Sequence, residues 1–74
     1  MIVEISKVFL YDISLKSIIN LEIKDGSTIR EVVDLLSVKN TDYAMFFVNG
    51  KVAQNDDVVN NSDKLSILPV FDGG

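Results

Sequence analysis

The sequence contains no cysteine and no histidine. Without cysteine there is no disulfide, no thiolate zinc site, no thiol nucleophile and no redox pair. Without histidine there is no Ser-His-Asp triad, no Cys-His pair and no imidazole metal ligand. Tryptophan is absent as well. Side-chain chemistry is confined to carboxylates, ammonium groups, one guanidinium (Arg30) and hydroxyls. Positive charge is scarce: seven Lys and Arg face eleven Asp and Glu, for a formal charge of −4. Lys7, Lys16, Lys24, Lys39, Lys51 and Lys64 are spread out and form no cluster. Duplex nucleic acid and anionic membranes are bound through concentrated Lys and Arg, so neither is an expected partner. The longest uninterrupted apolar run, Ala44 to Val48, is far too short for a bilayer span. Glu4 and Lys7 interrupt the first apolar stretch, so no secretory leader is expected. The expectation is a soluble cytoplasmic protein whose partners are basic, apolar or both.

What is present suits one small domain. The 74 residues suffice for one core, and a hydrophobic content of 47% is enough to build it. Ile2 to Tyr11 is rich in β-branched and aromatic residues and reads as a first strand. Ile19, Leu21 and Ile23 alternate with Asn20, Glu22 and Lys24, a half-buried second strand. Asp12 to Ser17 would join them in a hairpin. Asp25-Gly26 breaks the second strand. Thr28 and Glu31 have capping-box spacing, and Ile29, Val32, Val33 and Leu36 form one apolar stripe. The pattern predicts a helix over Ile29 to Val38, with Lys39 near its negative end and Asn40 as a left-handed cap.

Ala44 to Val48 reads as a buried strand, and Asn49-Gly50 as a two-residue hairpin turn returning through Lys51 to Ala53. Val58 and Val59 are expected to dip into the core. Leu65 and Ile67 alternate with Lys64 and Ser66 in a last strand, whose pairing should weaken at Pro69. Phe46 and Phe47 have opposite parity, which points either to one facing outward or to a strand buried on both faces. Asp42, Asp56, Asp57 and Asp63 read as solvated turn residues.

The end of the chain carries the chemical signal. Phe71-Asp72-Gly73-Gly74 follows the apolar stretch Leu68-Pro69-Val70. Glycines lack a Cβ, so they pass through a narrow channel and present only the α-carboxylate of Gly74. A carboxylate is a poor acyl donor. Attack on the α-phosphate of ATP would give it a good leaving group. No G-x-x-x-x-G-K loop occurs here, so the phosphate clamp and Mg²⁺ would belong to a partner. The chain would be the substrate, not the catalyst, and binds no cofactor of its own.

Three segments resemble the MoaD/ThiS family of ubiquitin-like sulfur carriers. They are Asp25-Gly26-Ser27-Thr28-Ile29-Arg30-Glu31, Phe47-Val48-Asn49-Gly50-Lys51, and Ser62 to Val70 leading to Gly73-Gly74. The resemblance implies an α+β, β-grasp fold: a mixed sheet of four to five strands packed on one main helix. Residues 1–69 would be the β-grasp domain and 70–74 a flexible C-terminal Gly-Gly tail. It further implies that a ubiquitin-activating-type adenylyltransferase (MoeB/ThiF-like) adenylates Gly74, using ATP and Mg²⁺. A sulfur donor would then make a thiocarboxylate. The sulfur would go to molybdopterin, through a MoaE-like large subunit of molybdopterin synthase, or to thiazole through thiazole synthase. Gly74 and Gly73 would be the reacting end, with Val52, Leu68, Pro69, Val70, Phe71, Asp72 and Tyr11 contacting partners.

The length of the first hairpin favours the MoaD branch. Asn61-Ser62-Asp63 stands where the family commonly has Asp-Gly-Asp, and Pro69-Val70 where Pro-Pro is usual. An Arg-Glu often found after the first strand is missing. Two other readings stay open: a ubiquitin-like modifier joined through Gly74 to a target lysine, and a β-grasp binding module with an incidental tail.

Overall fold

A computed structural model describes residues 1–10, 17–36, 38 and 41–70. Five strands form one mixed sheet: β1 (Ile2–Ile5), β2 (Ile18–Asn20), β4 (Ala44–Val48), β5 (Lys51–Ala53) and β7 (Lys64–Pro69). Their spatial order is β2-β1-β7-β4-β5. The central pair, β1 and β7, is parallel, and every other neighbour in the sheet is antiparallel. Two short strands, β3 (Ser27–Thr28) and β6 (Val58–Val59), pair separately beside the helix α1 (Ile29–Asp34). This is the β-grasp architecture expected above.

The core follows from strand parity. Side chains alternate between faces along a strand. Val3 and Ile5 of β1, Leu65 and Ile67 of β7, and Phe46 of β4 turn to one face and are buried. Ile29 and Val32 of α1 meet them there, both fully buried. Val33 and Leu36 pack on the margin, completing the predicted stripe. No polar or charged side chain is buried among the described residues. Burying each such Ile or Phe contributes about 1.5–3 kcal/mol before the entropy of ordering is set against it.

The start of α1 is secured from two directions. Thr28 Oγ1 accepts the Glu31 N–H at 3.2 Å, and Glu31 Oε1 accepts the Thr28 N–H at 2.9 Å, the predicted capping box. The N–H groups of Ile29 and Arg30 donate to the carbonyls of Asp57 and Asn55, each at 3.0 Å. All four donors that this helix start leaves free, from Thr28 to Glu31, are thus satisfied. The Asp57 carboxylate itself accepts the Gln54 N–H at 2.8 Å, so Asp57 is a turn former.

Several expectations need correction. The first strand ends at Ile5, and a 3₁₀ turn at Lys7–Phe9 replaces its second half. The turn buries the neighbours Phe9 and Leu10 together, which a straight strand cannot do on one face. The second strand stops at Asn20, although Met1 and Leu21 still exchange backbone bonds at 2.8 Å. The helix ends at Asp34, and Val38 instead bridges Leu10. Of the two valines expected in the core, Val59 is 1% exposed and Val58 68%. They are neighbours in a strand and must face opposite ways. Within Ala44–Val48 only Phe46 is fully buried.

Pairing does not weaken at Pro69. It lies opposite Ala44, and the Val70 N–H still donates to the Tyr43 carbonyl at 2.8 Å. Hydrogen-bonded positions alternate along an antiparallel ladder, so Pro69 occupies a position whose nitrogen points away from β4. It points toward β1, whose last ladder bond is Ser6 N–H to the Ile67 carbonyl. The missing donor therefore costs no bond. Tyr11, the Asp12–Lys16 stretch, Lys39, Asn40 and Phe71 to Gly74 lie outside the described residues.

Candidate functional site: the outer sheet face and the root of the C-terminal segment

The residues between the core positions build the opposite face. On β7 these are Lys64, Ser66 and Leu68, and on β4 they are Met45 and Phe47. Val52 stands for β5. Cross-strand register brings them together. Met45 lies opposite Leu68, and Phe47 lies opposite both Val52 and Ser66. Directly opposed side chains on one face sit close enough to touch, and diagonal ones are within reach of an aromatic ring. Phe47 is therefore the centre, with Val52 on one side and Leu68 diagonally on the other.

The patch continues to where the described chain ends. Val70 shares the parity of Leu68 and is held to the Tyr43 carbonyl. Val52 is 66% exposed, Val70 48% and Leu68 38%, and Tyr43 is exposed beside them. A shallow hollow of about 400 Å³ opens at the β5 edge, lined in part by Met45 and Val52. On the β1 side the patch gives way to the Glu4–Lys64 pair, 3.9 Å apart and half exposed, which adds little stability. Isolated exposed apolar residues are ordinary, whereas these form a contiguous set on one sheet face.

The partner-contact positions named from the sequence separate in the structure. Val52, Leu68 and Val70 meet on the outer face. Pro69 has the other parity and sits opposite Ala44. Tyr11, Phe71, Asp72, Gly73 and Gly74 lie outside the described residues. Met45, Phe47 and Tyr43 were not singled out for this face. The odd-numbered parity of 43, 45 and 47 was the available signal, and choosing which parity faced outward required the sheet order.

A second set of side chains braces the loops beneath the site. Asn61 accepts the Ile23 N–H on Oδ1 at 2.8 Å and donates through Nδ2 to the Ile23 carbonyl. Its carboxamide thus stands in for a neighbouring peptide where β2 has run out. Asp25 accepts the Asn61 N–H at 2.8 Å and closes this joint. Asp63 accepts the Asn60 N–H and an Asn49 Nδ2–H, each at 2.9 Å. Those two donors hold the Asp63 carboxyl below its ordinary range, the backbone bond having the larger effect. The Glu31 carboxyl is lowered in the same way by the Thr28 N–H and hydroxyl.

No group of three or more His, Cys, Asp or Glu that could hold a metal occurs among the described residues. A polar hollow of about 210 Å³ between α1 and β4 is lined by Arg30, Asp34, Thr41 and Asp42 among others. It lies on the helix side of the sheet and does not include the outer-face residues Met45, Phe47, Val52 or Leu68. No helix among the described residues is long and apolar enough to cross a membrane.

A mixed sheet grasping one short helix, with an apolar outer face running to the last strand's end, defines a ubiquitin-like β-grasp protein. The family model described as ThiS family matches residues 14–74, and the chain belongs to that family. Members are small ubiquitin-like sulfur carriers, not catalysts, and work with adenylyltransferase and synthase enzymes in sulfur transfer.

Proposed function

We propose that the chain carries sulfur as a thiocarboxylate on Gly74, formed after a MoeB/ThiF-like partner adenylates that carboxylate with ATP and Mg²⁺. The observation that carries this reading is the family match, which extends through Gly73-Gly74. The apolar outer face supports it, because it reaches Val70, four residues before Gly74 in the sequence. Phe47, Val52 and Leu68 dock the body of the carrier. Gly73 and Gly74 then enter the partner's active site, where their small size lets the reacting carbonyl reach the nucleotide. Energy from the body contact is used to position a group that has no side chain to hold it. Pro69, Val70, Phe71 and Asp72 line the approach, and Tyr11 adds to the docking contacts.

The molybdopterin branch is the reading we favour, with the chain as small subunit of molybdopterin synthase. Support comes from the long connection between β1, ending at Ile5, and β2, starting at Ile18. Delivery to thiazole is the alternative within the same family.

The test is the intact mass of the chain after incubation with its adenylating enzyme, ATP and a sulfur donor. The expected shift is one oxygen replaced by sulfur at the C-terminus. An unchanged mass, with that enzyme active on another carrier, would sink the reading. The thiocarboxylated chain mixed with the synthase large subunit and the pterin precursor then decides the branch. Dithiolene formation is expected, and its absence alongside turnover by thiazole synthase would move the chain to thiazole.

A further inference from the structure

The β4–β5 turn carries a chemical liability that its surroundings restrain. Asn49 and Gly50 are its two central residues, with φ of 53° and 84°. Asparagine before glycine is the pairing in which a backbone nitrogen most easily reaches a side-chain carbonyl carbon, because glycine has no Cβ to obstruct it. Here the Asn49 carboxamide is engaged at both ends. Its Nδ2 donates to Asp63 Oδ1 at 2.9 Å, and its Oδ1 accepts the Lys64 N–H at 3.0 Å. The Asn49 N–H also donates to the Lys64 carbonyl at 2.9 Å. Asp63 is itself fixed by the Asn60 N–H. Three bonds therefore tie one residue of the turn to the start of β7, while its exposed position leaves it open to water.

We propose that Asn49 is a deamidation site held closed by the folded hairpin, and that its conversion to a carboxylate opens the joint between this turn and β7. The Gly50 amide nitrogen gives up its proton to solvent base and bonds to Cγ of Asn49. The Cγ–Nδ2 bond breaks, and Nδ2 leaves as ammonia after taking a proton from solvent. The product is a five-membered succinimide. Water opens that ring at Cγ to give aspartate, or at the Asn49 backbone carbonyl to give isoaspartate. No oxidation or reduction occurs, and water is the only co-reactant.

Closure comes from the clasp. While Nδ2 and Oδ1 are bonded to Asp63 and Lys64, the carboxamide cannot swing toward the Gly50 nitrogen without losing both bonds. Opening comes from charge. After hydrolysis an oxygen stands where Nδ2 donated, facing the Asp63 carboxylate, so an attractive contact becomes a pair of anions. Isoaspartate does more, since the chain then runs through the former side chain and lengthens a two-residue turn. Phe47 and Val52 sit just beyond this turn on the outer face, so the change reaches the docking surface.

The test ages the purified full chain at mildly alkaline pH and follows Asn49 by peptide mass spectrometry with isoaspartate detection. Conversion is expected to be many-fold slower in the folded chain than in the same chain in urea. Asp63→Ala should raise the folded rate several-fold at a temperature where that variant is still folded by circular dichroism. Equal rates for folded and unfolded chain, or no acceleration in a folded Asp63→Ala variant, would overturn the protection. A charge swap tests the consequence separately. Asn49→Asp should lower the melting temperature at neutral pH, and adding Asp63→Asn should restore most of the loss. An Asn49→Asp variant that melts like the original chain would overturn the claim that deamidation opens the joint.

Discussion

The two faces of the sheet are made from alternate residues of the same strands, yet one packs the core and the other stays at the surface. On β7, Leu65 and Ile67 are fully buried against α1, while Leu68 stands exposed on the other side. On β4, Phe46 is in the core and its neighbour Phe47 is half-buried outside it. Hydrophobicity alone does not distinguish the members of each pair. Parity and sheet position do. An inner residue acts on the equilibrium between folded and unfolded chain, and on the proposed function an outer one acts on the equilibrium between free and bound chain. Substitutions should therefore separate stability from sulfur transfer.

The largest separation is expected from the end of the chain. Deleting Gly74 should abolish thiocarboxylate formation, read by intact mass, and leave the melting temperature unchanged. A large fall in melting temperature would show that the segment belongs to the folded body. Next comes the inner face. Ile67→Ala should cost about 2–5 kcal/mol in urea unfolding, because it leaves a cavity in a fully buried site. On the outer face, Leu68→Asp should weaken binding to the adenylating partner by about tenfold or more, some 1.4 kcal/mol. Its stability loss should be smaller than that of Ile67→Ala. Unchanged affinity would remove Leu68 from the docking surface.

Smaller effects probe the supports. Thr28→Ala should cost about 1 kcal/mol of stability through loss of the helix cap, with transfer activity intact. The smallest expected effect is on acid stability. Glu31 and Asp63 have carboxyls lowered by donors they meet only in the folded state. Their stabilisation is fully present above ordinary carboxylate values and is lost as pH falls through the lowered ones. Both groups are exposed, so the loss is slight. Asp63→Asn should flatten the acid limb of a melting-temperature profile slightly, and an unchanged limb would show that the Asn60 and Asn49 contacts do not bias its protonation.

Much of this arrangement was legible because it rests on local rules. The Thr28/Glu31 spacing located the helix start, Asn49-Gly50 located the tight turn, and Leu65/Ile67 identified the inner parity of β7. The failures occurred where tertiary structure overrode the local pattern. Phe9 and Leu10 belong to the core together because a 3₁₀ turn rotates the chain between Ile5 and Leu10. Val38 reads as the end of a helix but is drawn into a bridge with Leu10. The bracing roles of Asn49 and Asn61 could not be seen, because apolar periodicity carries no information about where a carboxamide points. For the proposed docking face, Val52 and Leu68 came from the family resemblance. Phe47 needed the register that places it between them.

The parallel pairing of β1 with β7 has a consequence for how the chain is made. Ile2 pairs with Lys64 and Ile5 with Ile67, so the centre of the sheet joins the first strand to the last. Synthesis proceeds from the amino terminus, and β1 must wait unpartnered on that side until Lys64–Pro69 has been made. Such long-range closure is the slow part of assembling a small sheet. A chain without β7 would lack the middle of its sheet. The fold therefore closes last at its centre, where the two strands farthest apart in sequence lie side by side.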